Sequence, residues 1–473
     1  MTPTGCFIDG KWREGTRRFA VTDPATGEQL AEVADAGPDD GVAALDAAAA
    51  VQDAWAATSP KERAGLLRRA HDELLSRREE FALLITREMG KPLAESRAEV
   101  SYAADFLQWF AEEAVRISGE YRMSPGGDFR IITTRQPVGP CLLIAPWNFP
   151  LAMITRKVGP ALAAGCTALL KPAEDTPLSC LLLVQVLADA GLPAGVVNVL
   201  PTSRPAPLVE RLLADPRLRK LSFTGSTHVG RLLLAQASRN VLRTSMELGG
   251  NAPFLVFADA DLEAAVEGAM LAKLRNGGQS CVAANRFLVE EPVAQEFATL
   301  FAERMSRVRL GPGIDPASQL GPLINTVQRD RVAGLVDDAV SCGARVLTGG
   351  SAEGTFFPAT VLADVPASAR INQEEIFGPV APISTFSGEE MALSLANDTG
   401  FGLVAFLYTG SLDRAVRVSE RLEAGMVGLN RGLVSNAAAP FGGIKQSGLG
   451  REGGFAGIGE YLSTKYLALD TTP

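Results

Sequence analysis

The amino-acid sequence predicts an α/β protein with two parallel-sheet domains. Between residues 138 and 257, short apolar runs that suit buried strands alternate with helical stretches. The same alternation returns from about 252 to 430 and is typical of βαβ units. We therefore expect a boundary between the two domains near 247–251. The strand candidates are 141–145, 168–171, 196–200, 221–223, 286–290, 344–347, 380–386, 403–408 and 426–430.

The chain before the first sheet is predicted to form strands and then helices. The pattern of residues 6–33 is typical of short strands and turns, and Asp9-Gly10 is a hairpin signal. Three long helical patterns follow at about 39–57, 60–88 and 92–117. The first two open with residues that are favoured at helix starts.

A small outlying sheet is also predicted. Gly126-Gly127 stands between extended segments, which favours a hairpin over 121–136. The segment 460–467 could supply a further strand beside it. Such a sheet has exposed edges, so it would suit contact between subunits.

Composition excludes several classes of function. The 473 residues are 47% hydrophobic and 21% charged, which is ordinary for a globular protein, and the net charge of −9 gives no basic surface for nucleic acid. No apolar run approaches the roughly 20 residues of a membrane span. The first residues lack a signal-peptide layout, and the six cysteines show no CxxC spacing, so they are expected to be reduced thiols. A cytoplasmic protein without a metal or membrane partner is the expectation.

A cysteine and a glutamate, each set among glycines, are the strongest chemical signal. Cys281 ends the run Asn-Gly-Gly-Gln-Ser-Cys, and Glu247 opens Glu-Leu-Gly-Gly-Asn. A thiol can attack a carbonyl carbon, and a carboxylate can deprotonate a thiol or a water. Glu247 follows an apolar strand, so partial burial would raise its pKa. The bland alternatives are a buried structural cysteine and a glutamate at a turn between domains.

Three further segments follow predicted strands. Asn148 comes after the strand at 141–145, where its amide could donate to an oxyanion, although an asparagine there could equally cap a helix. Lys171 and Glu174 could hold a ribose, and the carboxylate would disfavour a 2′-phosphate. Their alternative is a solvated charged turn. The strand–turn–helix at 223–230 suits a pyrophosphate, but it does not match the G-x-G-x-x-G fingerprint.

Seven motifs in order resemble the aldehyde dehydrogenase superfamily. They are PWNFP (146–150), KPAE (171–174), FTGST-x-VG (223–230), ELGG (247–250), N-x-GQ-x-C (276–281), EEIFGPV (374–380) and PFGGIKQSG (440–448). The resemblance implies an aldehyde dehydrogenase-like fold with a Rossmann-like cofactor domain (1–118 and 138–247), a catalytic domain (248–448) and a β oligomerisation element (119–137 and 449–473). It also implies a homodimer or homotetramer.

The resemblance assigns roles to individual residues. Cys281 would be the nucleophile, Asn148 and the Cys281 backbone N–H would form the oxyanion hole, and Glu247 would activate the hydrolytic water. Lys171 belongs to the same catalytic set. The implied cofactor is NAD, with NADP as the alternative. The cofactor-binding residues would be Ile144, Pro146, Trp147, Lys171, Glu174, Phe223, Gly225, Ser226, Val229, Leu248, Glu375 and Phe377.

Within the superfamily the sequence is most similar to succinate-semialdehyde dehydrogenases. In that subfamily two arginines and a serine hold the distal carboxylate, and Arg156, Arg275 and Ser435 match them. Arginine pairs well with a carboxylate, although both arginines could instead be structural ion-pair residues. Position 283 is alanine, so we expect no second-cysteine redox switch, and Arg431 stands next to the expected pocket.

Three alternatives remain open at this point. The substrate could be another aldehyde with a distal carboxylate, such as glutarate semialdehyde. Cys281 and Glu247 could serve a cofactor-independent thiol esterase. A non-catalytic relative that keeps only the fold is the third, and the intact Cys281, Glu247 and Asn148 count against it.

Overall fold

The computed structural model describes residues 2–470, which form an α/β protein as the sequence predicts. The strands are β1 (Cys6–Ile8), β2 (Lys11–Arg13), β3 (Arg18–Thr22), β4 (Gln29–Ala34), β5 (Glu120–Met123), β6 (Phe129–Pro137), β7 (Cys141–Ile144), β8 (Ala168–Lys171), β9 (Val197–Val199), β10 (Lys220–Thr224), β11 (Arg243–Glu247), β12 (Ala252–Val256), β13 (Ala284–Glu290), β14 (Arg345–Thr348), β15 (Thr360–Ala363), β16 (Val380–Phe386), β17 (Phe401–Gly402), β18 (Val404–Tyr408), β19 (Met426–Leu429), β20 (Ile444–Lys445), β21 (Gly448–Leu449) and β22 (Leu462–Asp470).

Most of the helices cover the faces of the two large sheets. They are α1 (Pro38–Ala57), α2 (Pro60–Ser76), α3 (Arg78–Met89), α4 (Leu93–Ala114), α5 (Ala152–Ala164), α6 (Leu178–Asp189), α7 (Pro205–Leu213), α8 (Thr227–Ala237), α9 (Leu262–Leu274), α10 (Glu291–Ser306), α11 (Thr326–Ser341), α12 (Gly388–Asn397), α13 (Leu412–Arg421) and α14 (Gly454–Gly459). No helix within residues 2–470 is long and apolar enough to cross a membrane.

The first large sheet has a parallel centre and antiparallel edges. Its strand order is β2-β1-β9-β8-β7-β10-β11-β21, and the five strands from β9 to β11 run parallel. β7 and β8 are buried along their whole length, as expected for strands with helices on both faces. Helices α5 and α6 contribute apolar side chains to the core beside them.

The second large sheet follows directly along the chain. Its order is β14-β15-β16-β13-β12-β18-β19, and every pairing except that of β14 with β15 is parallel. The first sheet's β11 ends at Glu247 and the second sheet's β12 begins at Ala252. The short segment between them therefore carries the chain from one sheet to the other.

A three-stranded antiparallel sheet lies outside the two large ones. β6 pairs with β5 on one side and with β22 on the other, so the predicted hairpin and terminal strand form one sheet. Its exposed apolar residues include Tyr121, Met123, Tyr466, Leu467 and Leu469. Apolar side chains on an exposed edge strand favour contact with another chain.

Two features of the fold differ from the sequence predictions. The single helix predicted over 60–88 is wrong, because Arg77 leaves the helical region (φ −102°, ψ 20°) and separates α2 from α3. The apolar pattern continues through this one-residue break, so periodicity did not reveal it. The strand candidates did not include β12, β15, β17, β20 and β21, of which β15 has four residues and the last three have two each.

Candidate active site

A cleft between the two large sheets collects many of the residues in the sequence motifs. Segments that follow β7, β10 and β11 meet the segment that precedes β13. The lining residues are Tyr102, Pro146, Trp147, Asn148, Phe149, Met153, Arg156, Thr224, Gly225, Ser226, Glu247, Leu248, Gly249, Arg275, Ser280, Cys281, Val282, Gln328, Arg331, Glu375, Phe377, Ser435 and Phe441.

The cleft opens where the strand order of the first sheet reverses. β8 and β9 lie on one side of β7, whereas β10 and β11 lie on the other. Loops that leave a parallel sheet on the two sides of such a point separate and leave a crevice for a ligand. Pro146 and Trp147 follow β7, and Gly225 and Ser226 follow β10, so this crevice is part of the cleft.

Strand register brings Glu247 and Cys281 into the same cleft. β12 pairs in parallel with β13, with Ala252 opposite Ala284. The residues just before each strand therefore lie side by side, and a Cβ on Gly250 would overlap the carbonyl oxygen of Cys281. Only glycine permits that close approach. The two glycine-containing motifs thus pack directly on one another.

A tight turn delivers Cys281 to the cleft. In the cysteine loop, which we define as residues 276–281, Asn276, Gly277 and Gly278 have φ values of 56°, 62° and 72°. Consecutive left-handed residues are accessible to glycine and, at lower frequency, to asparagine. The Asn276 side chain donates to the carbonyl of Gln279 at 2.9 Å and closes the turn.

Asn148 points its amide at the cysteine loop. Its Nδ2 donates to the carbonyl of Gln279 at 3.0 Å, and its Oδ1 accepts from the N–H of Phe149 at 3.1 Å. It does not cap α5, because the residue that flanks this helix is Leu151. A side-chain amide has two N–H groups, so the second one is available to a ligand in the cleft.

Burial shifts the pKa values of the two groups suited to catalysis. It raises the pKa of Glu247 well above its ordinary value, and the Glu452 carboxylate adds to the effect. Neither carboxylate oxygen of Glu247 has a hydrogen-bond partner among residues 2–470. Burial also raises the pKa of the Cys281 thiol to about 12, although the Arg156 charge opposes this shift. The thiol therefore needs a base to become nucleophilic at neutral pH.

Two arginines and a serine, Arg156, Arg275 and Ser435, line another part of the cleft. Arg275 Nη1 donates to Ser435 Oγ at 3.4 Å, and its guanidinium carbon lies 4.8 Å from the ring centre of Phe149. Arg156 Nε lies 2.8 Å from Glu452 Oε2, and its guanidinium carbon lies 4.1 Å from the Phe441 ring centre. Arg156 is therefore both an ion-pair residue and a lining residue, whereas the hydrogen bond of Arg275 goes to a hydroxyl.

Comparisons with known proteins agree with this arrangement. Residues 12–467 match the model of the aldehyde dehydrogenase family. The chain belongs to this family. It is 59% identical to succinate-semialdehyde dehydrogenase of Paenarthrobacter nicotinovorans, over 93% of this chain and 98% of the relative.

Two further comparisons bear on the substrate and the cofactor. The chain is 47% identical to glutarate-semialdehyde dehydrogenase of Pseudomonas putida KT2440, over 98% of this chain and 97% of the relative. A solved structure described as an Escherichia coli NADP-dependent enzyme is 48% identical in sequence and has a TM-score of 0.98. The match covers 99% of this chain and 98% of the solved chain. The chain therefore has the aldehyde dehydrogenase fold, and it is an enzyme that oxidises aldehydes to acids with NAD or NADP.

The residues of this aldehyde dehydrogenase fit a nicotinamide dinucleotide. The Thr224 hydroxyl is buried in the cleft without a hydrogen-bond partner among the described residues, and Ser226 caps α8 by accepting from the Val229 N–H at 3.3 Å. A helix N-terminus next to a crevice suits a pyrophosphate. Glu375 accepts from the Gly250 N–H at 3.1 Å, and burial raises its pKa to about 7.

Phe377 and Trp147 form the aromatic part of this region. Their rings meet edge to face with centroids 5.3 Å apart. Phe377 has a φ of 53°, and its carbonyl accepts from Gln328 Nε2 at 2.8 Å. A non-glycine residue in the left-handed region is strained unless its surroundings hold it. Gln328 is one of the contacts that hold this turn.

Some predicted site residues of this aldehyde dehydrogenase lie outside the lining set. They are Ile144, Lys171, Glu174, Phe223 and Val229. Lys171 Nζ pairs with Glu174 Oε2 at 3.2 Å, and the Glu174 side chain is 47% exposed. All five belong to the first sheet or to the segments that follow its strands, and their predicted roles with the cofactor, together with the catalytic role predicted for Lys171, stay predictions.

Several lining residues had no predicted role, among them Tyr102, Thr224, Gln328, Arg331 and Phe441. Tyr102 comes from the middle of α4, and its buried hydroxyl has no hydrogen-bond partner among residues 2–470. None of these five residues had been assigned a site role from its motif or spacing. Thr224 and Phe441 lie within the motifs at 223–230 and 440–448, which are a signal that could have marked them. Only the tertiary fold brings Tyr102, Gln328 and Arg331 to the cleft.

Proposed function

We propose that this aldehyde dehydrogenase oxidises succinate semialdehyde to succinate. The observation that carries the proposal is the group formed by Arg275, Ser435 and Arg156 in the same cleft as Cys281. Guanidinium and hydroxyl donors suit a carboxylate, and binding the far end of a four-carbon chain would aim its aldehyde at the thiol. The 59% identity to an enzyme named for this activity supports the proposal.

In the proposed mechanism, the Cys281 thiol gives its proton to a water molecule and the thiolate attacks the aldehyde carbon, while the Asn148 amide and the Cys281 backbone N–H donate to the developing oxyanion. A bound nicotinamide dinucleotide supplies the hydride acceptor. Glu247 then removes a proton from the water that hydrolyses the Cys281 thioester. A raised pKa brings that carboxylate nearer to the range in which a general base is effective.

Replacing Arg275 with methionine tests the carboxylate anchor. We expect kcat/KM for succinate semialdehyde to fall about 10²-fold, since a charge-assisted pair in a closed site contributes about 2–3 kcal/mol. The value for propanal, which has no carboxylate, should change less than about threefold. Initial rates of reduced-cofactor formation measure both values. Arg304→Met, on the surface of α10, is the matched control. An equal loss for both aldehydes would refute the anchor.

Two rivals make different predictions for the same assay. Glutarate semialdehyde is one carbon longer, and the Pseudomonas putida relative is named for it. A higher kcat/KM for that aldehyde than for succinate semialdehyde would favour this rival. A thiol esterase would hydrolyse an activated ester without any nicotinamide cofactor and would form no NADH from any aldehyde.

We propose NAD as the preferred cofactor because Glu174 places a carboxylate beside Lys171. A negative charge there would repel the 2′-phosphate of NADP. Glu174→Gln should therefore improve kcat/KM for NADP about tenfold while that for NAD changes little. Steady-state assays with the two cofactors measure the ratio. An unchanged ratio would mean that another residue sets the preference.

We also propose a cytoplasmic homodimer or homotetramer assembled through the sheet of β5, β6 and β22. The division into a cofactor domain (1–118 and 138–247), a catalytic domain (248–448) and an oligomerisation element (119–137 and 449–473) belongs to the same proposal. The exposed apolar residues of that sheet support it.

A further inference from the structure

A buried charged cluster next to the cleft joins the two loops that carry the reaction. We name it the α4 clamp and define it as Lys91, Glu95 and Glu99, which lie just before and within the first turns of α4. Lys91 and Glu99 are almost fully buried, at 2% and 1% exposure. Burying charged groups costs free energy unless each is paired and hydrogen-bonded.

Lys91 binds the loop between β7 and α5 (residues 145–151), which we name the Asn148 loop. Its Nζ lies 2.6 Å from Glu99 Oε2 and donates to the carbonyl oxygen of Asn148 at 2.7 Å. The same carbonyl accepts from the Asn276 side chain at 2.9 Å. A carbonyl oxygen has two lone pairs, so both are occupied and the peptide plane next to the Asn148 side chain is held.

The two glutamates bind the neighbouring segments. Glu99 Oε1 accepts from the N–H groups of Leu151 and Ala152 at 3.0 and 3.2 Å, where α5 begins. Glu95 Oε2 accepts from the N–H of Asn276 at 2.6 Å, where the cysteine loop begins. Glu95 and Glu99 are four residues apart, so they lie on one face of α4. One face of α4 thus binds the start of α5 and the cysteine loop, and Lys91, paired with Glu99 on that face, binds the Asn148 loop.

We infer that the α4 clamp is a positioning device. It fixes the Asn148 side-chain amide relative to the cysteine loop and thereby aligns the two donors of the oxyanion hole. This inference rests on aldehyde oxidation at Cys281, but not on which aldehyde is oxidised. None of the three residues lines the cleft. They act on catalysis through Asn148 and Asn276, which come from loops of different sheets and must keep a mutual position of ångström accuracy.

Glu95→Ala tests the clamp, and Glu95→Gln tests its rescue. Alanine leaves the Asn276 N–H without an acceptor, whereas glutamine keeps an acceptor oxygen. We expect kcat to fall at least about tenfold in Glu95→Ala, equally for succinate semialdehyde and propanal, because loss of an oxyanion donor costs about 10²–10³-fold and misalignment costs part of that. Glu95→Gln should recover most of the loss. KM and cofactor affinity should change less than about twofold in both variants.

Glu88→Ala is the matched control for loss of stability. Glu88 is a buried carboxylate that accepts from the N–H groups of Leu178 and Ser179 at 2.8 and 3.0 Å, and both of these residues belong to α6 rather than to either loop. Activity is measured below the melting temperature of each variant, and Cys281 alkylation by iodoacetamide is followed in parallel.

The outcomes separate the possibilities. The inference is supported when kcat falls in Glu95→Ala but not in Glu88→Ala while the alkylation rate stays within about twofold. It is overturned when the two variants lose equal activity, or when Glu95→Ala loses none. If the unaltered enzyme oxidises propanal but not succinate semialdehyde, the substrate proposal fails and this test still applies.

Discussion

Replacing Cys281 with alanine is expected to abolish the formation of reduced cofactor while the variant still binds NAD. No other cysteine lines the cleft, and no histidine does, so no second nucleophile of either type is present among the lining residues. Loss of a nucleophile in a covalent mechanism costs at least about 10⁴-fold in kcat. The absorbance of reduced cofactor measures turnover, and quenching of protein fluorescence by NAD measures binding.

Cys342→Ala is the control, because Cys342 is exposed and does not line the cleft. It should keep full activity. Residual turnover of aldehyde by Cys281→Ala above about 1% would mean that the nucleophile is a different group. Loss of NAD binding together with activity would instead indicate a folding defect. In that case Cys281→Ser, which keeps nearly the same volume, is tested for NAD binding without turnover.

Local chemistry explains which parts of the fold could be predicted. The Asp9-Gly10 hairpin is confirmed: these residues have φ values of 55° and 73° and join β1 to β2. A turn of this kind depends only on two neighbouring residues. The break at Arg77 could not be found in the same way, because the buried face of α2 continues into α3 and the apolar pattern does not change.

The site shows the same division between local and tertiary information. The motifs identified Cys281, Glu247 and Asn148 because glycines and strand ends mark them in the chain, and the structure brings all three to one cleft. The pairing of Arg156 with Glu452 joins residues that are almost 300 positions apart, so no spacing rule reports it. Lys91 is a similar case, since it donates to the Asn148 carbonyl 57 positions along the chain.

Replacing Glu247 with glutamine is expected to separate the two halves of the reaction. Glutamine has nearly the same shape but cannot accept a proton, so the thioester forms and then persists. We expect a burst of about one reduced cofactor per active site, followed by a steady-state rate lowered about 10²–10³-fold. Rapid-mixing absorbance measures the burst. Hydroxylamine, which attacks a thioester without a general base, should restore turnover. A variant without a burst would show that Glu247 acts before the thioester forms.

The pH dependence gives an independent check on the same carboxylate. A base with a raised pKa is active only when it is ionised, so kcat should rise with pH through that pKa in the unaltered enzyme and lose this dependence in Glu247→Gln. The stability of the unaltered enzyme should instead fall as pH rises. Because folding favours the protonated form, ionisation of Glu247 lowers the free energy of unfolding as pH rises. Glu247→Gln escapes that cost and should melt no earlier than the unaltered enzyme at pH ~8. Exposed Glu296→Gln is the control and should change neither the pH profile nor the melting temperature.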